Sequence, residues 1–235
     1  MVEIKEYSRT YPRSGTHLLS SFLHFYYGFI IPQKGVSFVT PLIGEGNFQL
    51  LTTHYNHPKG ENYPIGIYQL RNPLDCISSQ FYRLGPTERG DIPNKERDQY
   101  LNTLNGVPKT FQDLPPYNSL WNEVGKYNHM INSINSGDCV LYYEDIFNNP
   151  EEYFNTLDSY LKRKYNLPKL TPKKSFEEIL DFTAEYYSES QDMLSRNLKY
   201  YQTDFPELKE KWKPTILKFL DNNNPYIRKY VSPSN

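Results

Sequence analysis

Apolar residues along this chain form short runs in some places and helically spaced segments in others. Short apolar runs bounded by Gly, Pro or Asn are typical of buried strands. Such runs predict strands at residues 2–8, 49–54, 65–70 and 138–144. Apolar positions three and four residues apart predict helices; these lie at 15–27, 73–83, 119–134, 173–187 and 206–221, with a weaker one at 95–104. Another helix is expected to begin at Pro150, with Asn149 as its cap.

The alternation of strands and helices predicts an α/β fold with a central, mainly parallel sheet flanked by helices on both faces. In such sheets the ligand site lies beyond the carboxyl ends of the strands. Several polar groups directly follow predicted strands, and they are the loop 11–17, His54, the turn 71–73, and Tyr143 with Glu144. If the sheet is parallel, these groups converge at one edge.

The composition limits the class of protein. A chain of 235 residues suits one α/β domain, taken as 1–235, with the Gly- and Pro-rich segment 85–116 as a mobile part on the acceptor side. The formal net charge of −1 argues against a general nucleic-acid partner. Cys76 and Cys139 are too few for a disulfide framework. No apolar run approaches the ~20 residues of a membrane span, and the first residues do not resemble a signal peptide, so a soluble, cytoplasmic protein is expected.

The loop between the first predicted strand and helix, Y-P-R-S-G-T-H at 11–17, has the features of an anion site. A helix N-terminus presents backbone N–H groups, and its dipole favours an anion. Ser14 and Thr16 offer hydroxyl donors, and Arg13 offers a charged fork of donors. The same residues would also suit an ordinary strand-to-helix turn. A nucleoside-triphosphate P-loop needs a second glycine and a lysine, which this loop does not have.

Three stretches of the chain resemble the sulfotransferase family that uses 3′-phosphoadenosine 5′-phosphosulfate (PAPS). Residues 11–17 are similar to its 5′-phosphosulfate loop, Y-P-K-S-G-T-T, and R-N-P-L-D-C-I-S-S at 71–79 to its 3′-phosphate motif. V-L-Y-Y-E-D at 140–145 is similar to the strand that ends in Y-E-D in cytosolic members. The three stretches occur in the family's order. The resemblance implies a P-loop-kinase-like sulfotransferase fold.

The resemblance also implies a reaction and a set of residues. PAPS would be the donor and 3′-phosphoadenosine 5′-phosphate (PAP) the product, with sulfuryl transfer to a hydroxyl or amine of a small molecule or carbohydrate and no metal. The 5′-phosphosulfate would be held by the loop, and the 3′-phosphate by a second group of residues. The residues of the loop are Arg13, Ser14, Gly15, Thr16 and His17. The second group consists of Arg71 and Ser79, and Tyr143 would lie near the nucleotide.

Catalysis of sulfuryl transfer requires a general base, and the resemblance selects His54. His57 stands three residues further on and is the rival. Arg13 would stabilise charge on the leaving phosphate. The chain departs from the family at other positions: Leu18 replaces a tryptophan that stacks on adenine, and Thr52 stands where a lysine is common. The family's glycine-rich loop is absent, and Arg196 in 195–200 is its loose substitute.

Two other functions use the same features. A metabolite kinase of the P-loop type would need magnesium ligands and a loop lysine, neither of which the sequence offers. A catalytically inactive nucleotide-binding interaction protein would keep the donor site without transfer, and the missing glycine-rich loop and Thr52 support that alternative. Donor turnover in the presence of an acceptor distinguishes an enzyme from a binding protein.

Overall fold

The structure of the chain is a computed structural model. Its described residues are 4–11, 14–29, 31–32, 42–43, 48–53, 64–77, 120–167, 174–188, 210, 213–214 and 216–231. Within these ranges no helix is both long enough and apolar enough to cross a membrane.

A four-stranded parallel sheet is the centre of the fold. Its strands are β1 (Ile4–Thr10), β4 (Phe48–Thr53), β5 (Ile67–Leu70) and β6 (Cys139–Tyr142), in the order β4-β1-β5-β6. All three pairings are parallel, with Arg9 opposite Thr53, Thr10 opposite Gln69, and Leu70 opposite Tyr142. The carboxyl ends of the four strands therefore meet at one edge. Two short strands, β2 (Ile31–Pro32) and β3 (Leu42–Ile43), form a separate antiparallel pair.

Six helices have defined bounds: α1 (Thr16–Tyr27), α2 (Leu120–Asn132), α3 (Asp145–Asn148), α4 (Pro150–Tyr165), α5 (Phe176–Ser188) and α6 (Pro225–Val231). Residues 73–77 are also helical, and so are 210, 213–214 and 216–219. The first of these helical turns starts as its sequence predicts. Asn72 Oδ1 accepts a hydrogen bond from Leu74 N at 2.9 Å, and Pro73 occupies the first position, where a missing N–H costs nothing.

The chain divides into two compact units. The first contains residues 1–71 and 134–191, and the second contains 72–133 and 192–235. The single domain expected from the sequence stays a prediction. In the first unit, α1, α4 and α5 share one apolar core with β5 and β6. Its centre is aromatic: Phe22 lies edge-on to Phe154 at 5.0 Å and stacks on Phe176 at 5.7 Å.

The second unit has its own buried apolar residues, which are Leu74, Cys76, Ile77, Val124, Tyr127, Met130, Ile131, Ile216, Leu220 and Ile227. A buried amide joins two of its segments. Asn128 Nδ2 donates to Phe219 O at 2.7 Å, and Asn128 Oδ1 accepts from Asp221 N at 3.0 Å. Both ends of the amide are thus satisfied, as burial of a polar group requires. Both cysteines of the chain are buried thiols.

The α/β class and the parallel sheet predicted from the sequence are confirmed, and so are strands β1, β4, β5 and β6 and helices α1, α2, α4 and α5, within a few residues at their ends. Asn149 is the N-cap residue of α4, but its side chain bonds to Glu152 rather than to a backbone N–H. β2, β3, α3 and α6 were not predicted from the sequence, because they are too short to show a period. The predicted helix at 95–104 and the segment 85–116 lie outside the described residues.

A buried carboxylate at Glu6 ties β1 to the last turn of α4. Glu6 Oε2 lies 3.1 Å from Lys164 Nζ, and Glu6 Oε1 accepts from Tyr160 OH at 3.1 Å. Lys164 Nζ also donates to Ile65 O at 2.5 Å and to Tyr160 OH at 2.8 Å. Burial raises the pKa of Glu6, and the Lys164 ammonium opposes that rise. The ionised carboxylate therefore depends on Lys164.

Replacing Lys164 with Met should lower the free energy of unfolding by about 3 kcal/mol near pH 7, because it leaves the buried Glu6 charge without its cation. The loss should shrink as the pH falls. Without Lys164 the folded-state pKa of Glu6 rises further above its unfolded value, so the folded variant binds a proton and recovers stability on acidification. Urea unfolding across pH 4.5–8 measures both effects. Lys162→Met, an exposed lysine on the same helix, is the control. An equal loss in the control, or a loss independent of pH, would contradict the prediction.

Candidate anion-binding site

The connection from β1 to α1 is a tight turn that ends in a left-handed glycine. Ser14 N donates to Tyr11 O at 3.0 Å, which closes the turn, and Gly15 has φ 86° and ψ 29°. Leu19 N then donates to Gly15 O at 3.0 Å as the first hydrogen bond of α1. The first amides of an α-helix have no acceptor within the helix, and its dipole favours an anion there. The predicted position of the helix N-terminus is confirmed.

The hydroxyl groups of this turn differ in their contacts. Thr16 Oγ1 and Thr10 Oγ1 share a buried hydrogen bond of 2.7 Å, which joins the end of β1 to the first residue of α1. Ser14 is fully buried, and its Oγ has no hydrogen-bond partner within the described parts of the chain. A buried hydroxyl without a partner is costly. Ser14 Oγ is therefore an unsatisfied buried donor at the N-terminus of α1 within the described chain.

Glycine at position 15 is required by space as well as by backbone angle. A Cβ atom there would lie 2.4 Å from Tyr143 Cδ2 and 2.8 Å from Gln69 Nε2. Both distances are shorter than van der Waals contact, and a positive φ already disfavours other residues. The backbone of the turn at Gly15 is thus in close contact with Tyr143, which follows β6, and with the side chain of Gln69 on β5.

Gln69 on β5 bonds directly to the backbone of the turn. Its Nε2 donates to Ser14 O at 2.7 Å, and its Oε1 accepts from Tyr153 OH of α4 at 2.6 Å. All of these groups are buried. The chain of hydrogen bonds runs from a helix through the central sheet to the turn.

Arg71 and Tyr143 meet at the same edge of the sheet. Arg71 follows the last residue of β5, and Tyr143 follows the last residue of β6, where its N donates to Leu70 O at 2.7 Å. The Arg71 Cζ lies 4.7 Å from the centre of the Tyr143 ring, a distance typical of a cation–π contact. Phe147, an exposed residue of α3, lies edge-on to Tyr143 at 5.7 Å. The edge therefore carries a cation and two rings beside Gly15.

The structure brings together Ser14, Gly15, Thr16, Arg71 and Tyr143 from the predicted set, with the half-buried His17 in the first turn of α1. Arg13, His54, Ser79 and Arg196 lie outside the described residues, and so does His57. The described part of β4 ends at Thr53, opposite Arg9. Their assigned roles stay predictions.

Two residues of this site, Gln69 and Tyr153, were missed by sequence reasoning. The signal was present for Gln69, which is a polar residue inside the apolar run I-G-I-Y-Q-L at 65–70. A polar side chain in a buried strand must have partners, so its presence indicates a structural or functional contact. Nothing in the sequence identifies Tyr153 as that partner among 22 tyrosines.

Leu18, which stands where the resembling family has a stacking tryptophan, packs in the apolar core and is 7% exposed. It offers no surface on which a base could stack.

No protein-family model and no curated protein matches this chain. Among solved structures it is similar to the crystal structure of mouse sulfotransferase SULT7A1 complexed with PAP, with 16% sequence identity and a TM-score of 0.41. The match covers 81% of this chain and 67% of that chain. A TM-score of this size carries no weight for the fold or the function of this chain.

Proposed function

We propose that this protein is a PAPS-dependent sulfotransferase that transfers a sulfuryl group to a hydroxyl or amine of a small-molecule or carbohydrate acceptor. The observation that carries the proposal is the turn at the start of α1, where a left-handed Gly15 and the buried, unpartnered Ser14 Oγ among the described residues stand at a helix N-terminus. Arg71 at the adjacent strand end supports it, because PAPS needs a second anion site. The order of the three motifs favours a sulfotransferase over other phosphate-binding proteins.

The donor fits the chemistry of these residues. The amides of the α1 N-terminus, Ser14 Oγ and Arg13 would hold the 5′-phosphosulfate, while Arg71 with Ser79 would hold the 3′-phosphate. Tyr143 would lie beside the nucleotide and keep the Arg71 guanidinium in place through their 4.7 Å contact. Arg196 would add charge near the 3′-phosphate. The donor supplies the sulfuryl group and leaves as PAP.

The reacting groups have separate tasks. The acceptor oxygen forms a bond to sulfur while the bond from sulfur to the 5′-phosphate oxygen breaks, and the acceptor proton passes to His54. Arg13 stabilises the negative charge that develops on the leaving phosphate, which makes it worth more in the transition state than in the ground state.

Labelled PAPS, incubated with the protein and a panel of phenol, sterol, sugar and amine acceptors, tests the proposal. Release of PAP with a labelled acceptor product is the expected result. PAP binding without turnover on any acceptor would favour the inactive binding protein, and phosphoryl transfer from ATP with magnesium would favour the kinase.

Replacing Gly15 with Ala should weaken PAP binding at least 10-fold, because the new Cβ clashes with Tyr143 and the positive φ strains an alanine. Gly28→Ala is a matched control, since Gly28 has φ 73° at the other end of the same helix. Both variants should lose about 1 kcal/mol of stability or more. Calorimetric titration with PAP should show the affinity loss at Gly15 alone, and equal affinities for the two variants would remove the turn from the binding site.

Replacing Arg71 with Ala should weaken PAP binding by about 1.5–3 kcal/mol through lost charge-assisted hydrogen bonds. AMP lacks the 3′-phosphate and should be nearly indifferent to the change. Arg71→Lys keeps the charge without the bidentate fork, so its PAP affinity should fall between those of the parent protein and Arg71→Ala. Calorimetry without magnesium measures each pair. Equal losses for PAP and AMP would take Arg71 away from the 3′-phosphate.

Replacing His54 with Ala should lower turnover roughly 10²-fold or more while leaving PAP affinity almost unchanged, because a general base acts only in transfer. His57→Ala is the control and should cost far less. Single-turnover transfer and separate PAP titrations distinguish the two effects. Turnover that survives the loss of His54 and collapses with the loss of His57 would assign the base to the later histidine.

A further inference from the structure

We propose that Gln69 is a positioning residue for the anion-binding turn, and that Tyr153 holds its amide in the one orientation that serves this purpose. The inference rests on the proposed function, since it concerns how the same turn binds the 5′-phosphate end of a nucleotide.

Gln69 lies on the buried strand β5, where a polar side chain without a purpose would be unfavourable. It lies in a strand whose four residues are all buried, next to Thr10 of β1 across the sheet. Burying a primary amide without hydrogen bonds is unfavourable, because the group loses its bonds to water. An apolar residue would fill this place in a parallel strand at no such cost. The two hydrogen bonds that the amide makes offset the cost of burying it.

The chemistry of those two contacts allows only one orientation of the amide. Ser14 O is a carbonyl and can only accept, so the NH₂ group of Gln69 must face it, at 2.7 Å. Gln69 Oε1 then faces Tyr153 OH, which donates at 2.6 Å. A flipped amide would set two acceptors against each other at Ser14. The Ser14 carbonyl thus selects the orientation, and the hydrogen bond from Tyr153 to Oε1 holds the amide in it.

Tyr153 is suited to hold that orientation because its ring cannot move and its proton does not leave. The ring is buried against Phe22 of α1, at 6.1 Å between centroids and an interplanar angle of 64°. Burial raises the pKa of the Tyr153 hydroxyl well above its usual range. The hydroxyl therefore keeps its proton and can donate near neutral pH.

Fixing the carbonyl of Ser14 also fixes the amide that follows it. In a trans peptide the C=O and the next N–H lie in one plane and point in opposite directions. With Ser14 O held by Gln69, the Gly15 N–H must point in the opposite direction within the same plane, away from the Gln69 amide. This N–H belongs to the group of amides at the start of α1 that would contact the phosphate. The hydrogen bond from Gln69 to Ser14 O thereby orients the Gly15 N–H, although Gln69 makes no hydrogen bond to that N–H.

Three nucleotides and three variants test the inference. PAP and 5′-AMP carry the 5′-phosphate that the turn would bind, whereas 3′-AMP carries only the 3′-phosphate. Gln69→Leu removes the grip on Ser14, and Tyr153→Phe leaves the amide in place but frees it to rotate. Tyr27→Phe is the matched control, since the Tyr27 hydroxyl also donates from the same core, to Asp158, away from the turn.

In calorimetric titrations we expect Gln69→Leu to lower the affinities for PAP and 5′-AMP about 10-fold. Tyr153→Phe should lower both affinities about threefold, and neither variant should change the affinity for 3′-AMP. Tyr27→Phe should lose stability without changing any of the three affinities. Hydrogen exchange of the amides at 14–16 in the nucleotide-free protein should accelerate in Tyr153→Phe and not in Tyr27→Phe. If Gln69→Leu does not fold, Tyr153→Phe and the exchange data decide.

Two failures are distinguishable. Parent protein that binds neither PAP nor 5′-AMP would overturn the proposed function, and the positioning role with it. If the parent protein binds both nucleotides and the variants bind them equally well, only the positioning role is overturned. The same holds if the variants lose affinity for 3′-AMP as much as for PAP and 5′-AMP.

Discussion

The close approach of the β1–α1 turn to the sheet is the constraint on which the rest of the site depends. Gly15 packs so tightly against Tyr143 and Gln69 that a single added carbon would overlap both. This contact sets the direction in which the chain enters α1, and with it the direction of the helix N-terminus. Tyr143 in turn carries Arg71 on its ring. One glycine therefore sets the spacing between the turn and the Tyr143 ring that carries Arg71.

Buried polar groups in the first unit lie at both ends of the central strand β1. Toward the amino end, Glu6 is neutralised by Lys164 and bonded by Tyr160. Toward the carboxyl end, Thr10 bonds to Thr16, and its neighbour Gln69 bonds to the turn. The first group joins the sheet to α4 and contributes to stability. The second joins the sheet to the turn at the start of α1.

Arg9, on the opposite face of β1 from Glu6, is a buried cation with structural contacts. Its Nη2 donates to Pro64 O at 2.7 Å, its Nη1 lies 3.9 Å from Asp138 Oδ1, and it lies over the Tyr68 ring at 5.2 Å. Asp138 Oδ1 also accepts from Gly66 N at 2.7 Å. These contacts fix the entry of the chain into β5 and β6. Arg9 therefore acts within the sheet region, whereas Arg71 follows β5 at the carboxyl edge and lies on the Tyr143 ring.

The sequence by itself determined the α/β class, the parallel order of the main elements and the turn at the start of α1, because periodicity, caps and glycine act over a few residues. It also placed Arg71 and Tyr143 at strand ends, and parallel pairing brought them together as expected. Only the tertiary structure decided that Thr16 bonds to Thr10 and that Ser14 keeps a hydroxyl without a partner in the described chain. The same holds for the link from Tyr153 through Gln69, which joins residues 84 positions apart. Such contacts depend on the packing of α4 against the sheet, and no local pattern of residues encodes which of many tyrosines will meet one buried amide.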